Sequence, residues 1–220
     1  MVSISISKEL LQKARNVKLS CIECEVYVTE KNDTLWDLIQ QKTNEIVTTT
    51  DVSEISKLPA VEASRKAYKA CGKDPARYRL SAESLIRRIV NQKDLYQVNN
   101  VVDVLNLVSI SSGYSIGGYD ADKIIGEITF GIGELDEPYT GIGRGELNIE
   151  FLPVFRDELG AFGTPTSDSV RTSVTIHTKR FLMIIIDFGG GNIVKATQLS
   201  TELLERYSYA TNIKTYTITG

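Results

Sequence analysis

"FLMIIIDF", residues 181–188, decides how the rest of the chain is read. Seven apolar residues run together with one aspartate among them, "KR" stands before them and "GGGN" after. A run this short, rich in β-branched residues and bounded by turn-forming glycines, reads as a strand. Downstream, "GNIVKATQLSTELLERYSYA" reads as a helix that can pack Ile193, Val194, Ala196, Leu199, Leu203 and Leu204, and "NIKTYTIT" closes as a strand. Upstream, "KIIGEITFGI", "GELNIEFLPV" and "SVTIHT" read as further strands separated by Gly, Pro and Asp turns. The half after Gly113 is therefore expected to be built on sheet.

The first half is mostly helical. Helices are expected after Ser7 as cap, across "NDTLWDLIQQKTNEIV", from Pro59 to Cys71 with Gly72 as stop, after Ser81, and from Asn100 to Ser112 ended by Gly113. "KLSCIECEVYV" alternates with Ile22, Cys24, Val26 and Val28 on one face, the period of a strand. The expectation is a single α+β domain over residues 1–220, with a helical N-terminal lead-in of strand and helices up to residue 79. The helix of residues 100–112 should pack on a mixed sheet containing residues 181–187.

Length and composition bound the function. At 220 residues with 42% hydrophobic side chains, the chain can bury a real core. No apolar run approaches the ~20 residues of a membrane helix, and "MVSISISKEL" carries neither a basic leader nor a sustained apolar stretch. A cytosolic protein without membrane partners is expected. Three cysteines fit a reducing compartment. Net charge is −3, but residues 61–93 hold nine basic and three acidic side chains. That segment, with Arg87 and Arg88, reads either as a solvated helix face or as a patch for phosphates.

Short motifs mostly lead nowhere. Cys21 and Cys24 point to opposite faces of a strand, and only Cys71 and His177 remain to complete a zinc site, so packed cysteines and no metal are expected. Asp187-Phe188-Gly189 copies a kinase triplet without the loops that belong to it. "GIGRG", residues 141–145, reads as a hairpin turn, and "GGGN", residues 189–192, as a connecting turn before an anion site. His177, the sole histidine, should alternate on a strand face without a fixed catalytic partner. No cofactor is implied.

One loop stands apart. "GTPTSDSVRT", residues 163–172, packs five hydroxyls around Asp168 and Arg171. It reads as a solvated turn, which its Gly, Pro, Ser and Asp favour, or as the wall of a site.

Two stretches carry a family resemblance. Residues 81–124 resemble the opening of the tRNA-binding B3/B4 domain of the phenylalanyl-tRNA synthetase β subunit, through Asn100, Val102, Asp103, Asn106, Gly113, Tyr119, Asp120 and the run ending at Ile124. "SDSVRTSVTIHTKRFLMI", residues 167–184, is similar to that family's Ser-x-x-Thr-x-x-Thr-x-x-Thr segment through Ser169, Thr172, Thr175 and Thr178. The likeness covers roughly residues 80–188.

The resemblance implies a three-layer fold of mixed sheet and packed helices, here as a free-standing domain, and a pocket that hydrolyses wrongly attached amino acid from tRNA. Asp168, Ser169 and Thr172 would then be catalytic, with Asp168 accepting from the substrate ammonium. Asn106, Gly117, Gly118, Thr164 and Arg171 would bind substrate, with Arg171 meeting the terminal phosphate or ribose, and Arg87 and Arg88 would contact tRNA. Partners would be tRNA or its aminoacyl end and an amino acid, with no DNA. The chain departs from the bacterial pattern by carrying Gly117 where a histidine is usual and by lacking a glutamate near Thr164 or Pro165. A non-catalytic amino-acid or RNA-binding module is the alternative.

Overall fold

The computed structural model describes residues 2–220. It is an α+β fold in which β9 (Arg180–Asp187), containing the apolar run, lies inside a four-stranded sheet rather than at its edge. The strands of this sheet run in the order β10 (Thr211–Thr219), β2 (Lys18–Glu25), β9, β3 (Ser115–Asp120). Successive side chains of a strand point to opposite faces. Phe181, Met183 and Ile185 therefore enter one apolar cluster, and Leu182, Ile184 and Ile186 enter another. Each such side chain contributes on the order of 1.5–3 kcal/mol of burial, and the strand is accordingly apolar throughout from Phe181 to Ile186, between exposed Arg180 and buried Asp187.

The first cluster lies under four helices: α2 (Asp33–Thr49), α4 (Ser81–Val90), α5 (Asn100–Ser112) and α6 (Ile193–Ser208). The second lies against another four-stranded sheet, ordered β1 (Ile4–Ile6), β4 (Ile128–Ile132), β7 (Pro153–Asp157), β8 (Gly160–Gly163). Helices, sheet and sheet make three layers. Two further helices, α1 (Lys8–Lys13) and α3 (Pro59–Cys71), contribute Leu10, Ala67 and Cys71 to the inter-sheet cluster. A short hairpin, β5 (Thr140–Gly141) and β6 (Gly145–Glu146), turns through the "GIGRG" segment.

Local signals read from sequence set the helix ends. The Ser7 hydroxyl accepts from Leu10 N at 3.2 Å, Asn32 caps α2 through Leu35 N at 3.1 Å, and Pro59 opens α3. Gly72 and Gly113 close their helices at φ +100° and +77°, a backbone region that favours glycine. Cys21 and Cys24 are buried in the two different clusters, as opposite faces of one strand require.

Four expectations change. The sheet holding β9 is wholly antiparallel, and the one parallel pair of strands among the described residues is β1 with β4 in the other sheet. Residues 173–178 form no strand: the Thr178 hydroxyl accepts from Thr175 N at 2.9 Å and donates to Asp120 Oδ2 at 2.8 Å, a local turn that replaces ladder bonding. His177 accordingly sits exposed on that turn. Within "GELNIEFLPV" pairing stops after Glu146 and resumes only at Pro153, because Ile149 and Leu152 turn into a third apolar cluster with Val61, Tyr68 and Tyr139. The N-terminal segment is not only a lead-in: β1 and β2 are strands of the two sheets.

Candidate functional site

Residues 163–172 are folded into the protein, not solvated. Thr164, Thr166, Ser169 and Thr172 are buried. The Thr164 hydroxyl accepts from Thr166 N and Ser167 N at 3.1 and 3.0 Å and donates to Ser167 O at 3.0 Å, closing a turn on itself. Thr166 meets the hydroxyl of fully buried Tyr68 at 2.9 Å, and Tyr139 donates to Ser167 O at 2.6 Å. Gly163 bridges Asp168, and Gly141 bridges Ser169, so the loop ties β8 to the 140–146 hairpin.

This framework presents one side chain without full satisfaction. Asp168 as a residue is partly exposed, but its carboxyl turns inward, onto the free edge of β3. Oδ2 accepts from Gly118 N at 3.2 Å, whereas Oδ1 is buried with no hydrogen-bond partner. The Tyr119 hydroxyl approaches this carboxyl, but it too is buried without completing a hydrogen bond. Burial pushes the Asp168 pKa up to about 7, against the lowering influence of the Gly118 N–H and the Tyr119 hydroxyl. Burial first, and Asp168 second, hold the Tyr119 hydroxyl well above its ordinary value. No cation pairs with Asp168 among the described residues, an unusual condition for a buried carboxyl.

The glycines around it are needed by the protein's own packing. A Cβ on Gly117 or on Gly163 would collide with the Tyr119 hydroxyl. The Tyr119 ring also packs edge-on against Phe162, centroids 4.9 Å apart. Gly118 is covered by Leu105, 2.5 Å from where a Cβ would stand, and by Phe181. The space beside Gly117 and Gly118, which the resemblance would give to substrate, is thus occupied by tyrosine, leucine and phenylalanine.

The other expected site residues divide. Ser169 adjoins Asp168, but its hydroxyl accepts from Arg171 N at 3.2 Å. Thr172 is fully buried, 3.5 Å from Phe162 O. Arg171 forms a two-pronged ion pair with the buried Asp157 carboxylate, at 3.0 and 2.8 Å, and donates to Lys123 O and Gly160 O. Its guanidinium holds the loop to β7 and is not free for a phosphate. Asn106 stands on α5, which packs on β3, and its side chain makes no hydrogen bond to the loop. A cavity of about 290 Å³ opens beside the loop, lined by Tyr139, Thr140, Ser169, Val170 and Arg171, but not by Asp168.

The basic segment is partly self-neutralised. Glu83, fully buried on α4, accepts from Arg65 at 2.8 Å and Arg87 at 2.9 Å, with Arg79 at 3.9 Å. Arg88 points elsewhere: its Nε donates to Asp94 O, and its guanidinium stacks on Tyr96, 4.2 Å from the ring centroid. Lys73 is buried and donates to the carbonyls of Asn148 and Glu150. After the "FLMIIID" strand, Gly189 N and Gly190 N both donate to Asp187 Oδ1, which makes "GGGN" a plain connecting turn. Among the described residues no group of three His, Cys, Asp or Glu side chains is placed to hold a metal, and no helix is long and apolar enough to cross a membrane.

Residues that sequence reasoning passes over include Tyr119 and Tyr139 as walls of the Asp168 site and Asp157 as the partner of Arg171. The alternation of "SIGGYD" does place Tyr119 over Gly117, so that signal is present; the Asp157 pairing spans 14 residues and has none.

None of the curated proteins matches the chain. Among solved structures it is similar to an N-terminal fragment of the phenylalanyl-tRNA synthetase β subunit from Pyrococcus horikoshii, with 14% identity and a TM-score of 0.50. That match covers 99% of this chain and 50% of the other, so the chain spans half the length of the fragment, and the likeness is one of fold. The family model of the B3/4 domain matches residues 63–218, taking in α3 and β10 beyond the stretch that carried the resemblance. With that match spanning most of the chain, from within α3 to within β10, the protein belongs to the B3/4 domain family.

Proposed function

We propose that the protein binds the aminoacyl end of tRNA and hydrolyses the ester in trans, with Asp168 receiving the substrate's α-ammonium group. The observation that carries this reading is the Asp168 Oδ1 atom, buried and without a partner on the free edge of β3. An uncompensated carboxyl of this kind is costly, and an arriving ammonium supplies the missing charge and hydrogen bond together. It also restores the ionised form of an acid whose pKa burial has raised to about 7. The cavity beside Ser169 and Tyr139, at about 290 Å³, falls just below the ~300–1,000 Å³ common for ligand sites and borders the loop without reaching Asp168.

Hydrolysis in this site is a matter of placement. Water adds to the ester carbonyl, the ribose oxygen leaves with a proton, and the free amino acid and deacylated tRNA result. The bound ammonium fixes the carbonyl relative to the loop, which lowers the entropic part of the barrier. The three free, buried cysteines are what a reducing compartment such as the cytosol permits.

A second reading, binding without turnover, is favoured by one observation: the hydroxyls of Thr164 and Ser169 are engaged within the loop, and Thr172 is buried. Incubation of the purified protein with a panel of aminoacyl-tRNAs separates the two. Release of amino acid from at least one member above the spontaneous rate is expected. Retention of the ester, with protection from spontaneous hydrolysis, would assign binding alone.

A further inference from the structure

A cavity of about 610 Å³ lies on the helical layer, away from Asp168, between α2 and the segment that follows α4. One face of α2 supplies Trp36, Gln40, Thr43, Asn44 and Val47, spaced so that they line one side of the helix, and Ile39, Ile89 and Leu95 form the apolar floor. The exposed residues Gln40, Asn44 and Gln92 border it, and none of their side-chain amides is hydrogen-bonded among the described residues. Lys93 and Asp94 complete the rim, and the Lys93 ammonium has no carboxylate partner among the described residues. The Arg88 guanidinium, stacked on the exposed ring of Tyr96, stands beside this rim through its bond to Asp94 O.

Gln92 is a second observation. It holds the left-handed conformation at φ +54° just past the end of α4, where glycine is the residue that sits without strain. Retaining a glutamine there costs backbone energy, and what it gains is an amide at the cavity wall.

An apolar floor beside an indole, three amides without a protein partner and the cations Lys93 and Arg88 at the rim match one class of ligand. A nucleobase offers a π-face to stack and an edge of alternating donors and acceptors, which amides can read in either sense. Its phosphate brings the negative charge that Lys93 and Arg88 lack. We propose that this cavity binds one unpaired nucleobase of an RNA strand, with the adjoining phosphate held by Lys93 and Arg88. The proposal rests on RNA being the partner, and it adds a second contact point remote from the aminoacyl end.

The sequence contains a single tryptophan, so tryptophan emission comes wholly from Trp36, at the wall of this cavity. The full chain is titrated with the four nucleoside monophosphates and with a short single-stranded oligoribonucleotide, and tRNA binding is followed separately by gel retardation. Quenching of Trp36 that saturates is expected, at about millimolar concentration for a mononucleotide and tighter for the oligomer. Asn44→Leu and Gln40→Leu, both on the solvent side of α2, should each weaken it by about tenfold or more. Gln92→Gly should raise the melting temperature, by removing the strain, and still weaken quenching. Retarded tRNA with silent Trp36 emission overturns the base site and leaves RNA binding intact. Neither retardation nor quenching overturns both. Quenching unchanged in all three variants, or a more stable Gln92→Gly that binds as before, overturns the assignment of these amides.

Discussion

Glu83 and Asp168 are both buried acids, and they are opposites. Glu83 lies at the centre of a cluster, with Arg65 and Arg87 bonded to it and Arg79 nearby. Asp168 has a backbone N–H on one oxygen, no completed hydrogen bond on the other, and no cation among the described residues. A carboxylate that only holds a fold together brings its counter-charges with it, because the desolvation cost is otherwise unrecovered. The same rule covers Asp157, whose ion pair with Arg171 anchors the very loop that carries Asp168. The loop is thus fastened by one satisfied acid while it carries an unsatisfied one, two acids only 11 residues apart in the chain.

Removing the satisfied acid should do the most damage. Glu83→Gln leaves two arginines facing each other, and chemical denaturation should show a loss of about 3 kcal/mol, the low end for a broken buried pair since both guanidiniums retain some solvent. Asp168→Asn should act in the other direction. The unfolded carboxyl titrates near pKa ~3.9 and the folded one at about 7, so stability is greatest below pH ~4 and falls as pH rises through 7. At pH 8 the ionisation cost is fully present, and the asparagine variant should be more stable by about 2 kcal/mol, a part of the ~4 kcal/mol that the shift represents. The gain should vanish at pH 4; a variant that is less stable at pH 8 would place Asp168 with Glu83 as a structural acid.

Smaller effects sharpen the picture around Tyr119. Gly117→Ala puts a methyl group onto the tyrosine hydroxyl and should cost about 1–2 kcal/mol in thermal or chemical melts. Adding Tyr119→Phe should recover part of that, because it removes both the nearest clashing atom and a buried hydroxyl without a partner. No recovery would show that the ring, and not its hydroxyl, fixes the glycine. Ser167→Ala should be nearly silent, below about 0.5 kcal/mol, since its hydroxyl makes one long bond of 3.3 Å to Asp168 O.

Sequence carries the fold further than the site. Apolar periodicity and the caps at Ser7, Asn32, Pro59, Gly72 and Gly113 are local signals, and the helices they mark stand where those signals put them. The β1 strand escapes such reading because three residues have too little pattern of their own and are fixed by pairing with Ile128–Phe130, more than 100 residues on. "SVTIHT" alternates like a strand and yet forms none, because Asp120, another distant residue, captures Thr178. At the candidate site, composition and resemblance single out residues 163–172 and Asp168, and burial of Thr164, Thr166, Ser169 and Thr172 shows that the loop is folded into the protein. Which neighbours are committed to structure is not legible in the sequence, because Arg171 differs from a free arginine only in having Asp157 beside it.

The claim that the Asp168 carboxyl receives a substrate ammonium is tested most directly by removing that ammonium. The protein is offered one aminoacyl-tRNA that it binds or deacylates, alongside the same tRNA with its amino group acetylated, and Asp168→Asn is run in parallel. The wild-type chain should prefer the free amine by about tenfold or more, the worth of a charge-assisted hydrogen bond, and Asp168→Asn should lose the preference while keeping its fold. Equal handling of the free and acetylated substrates by the wild-type protein would contradict the assignment.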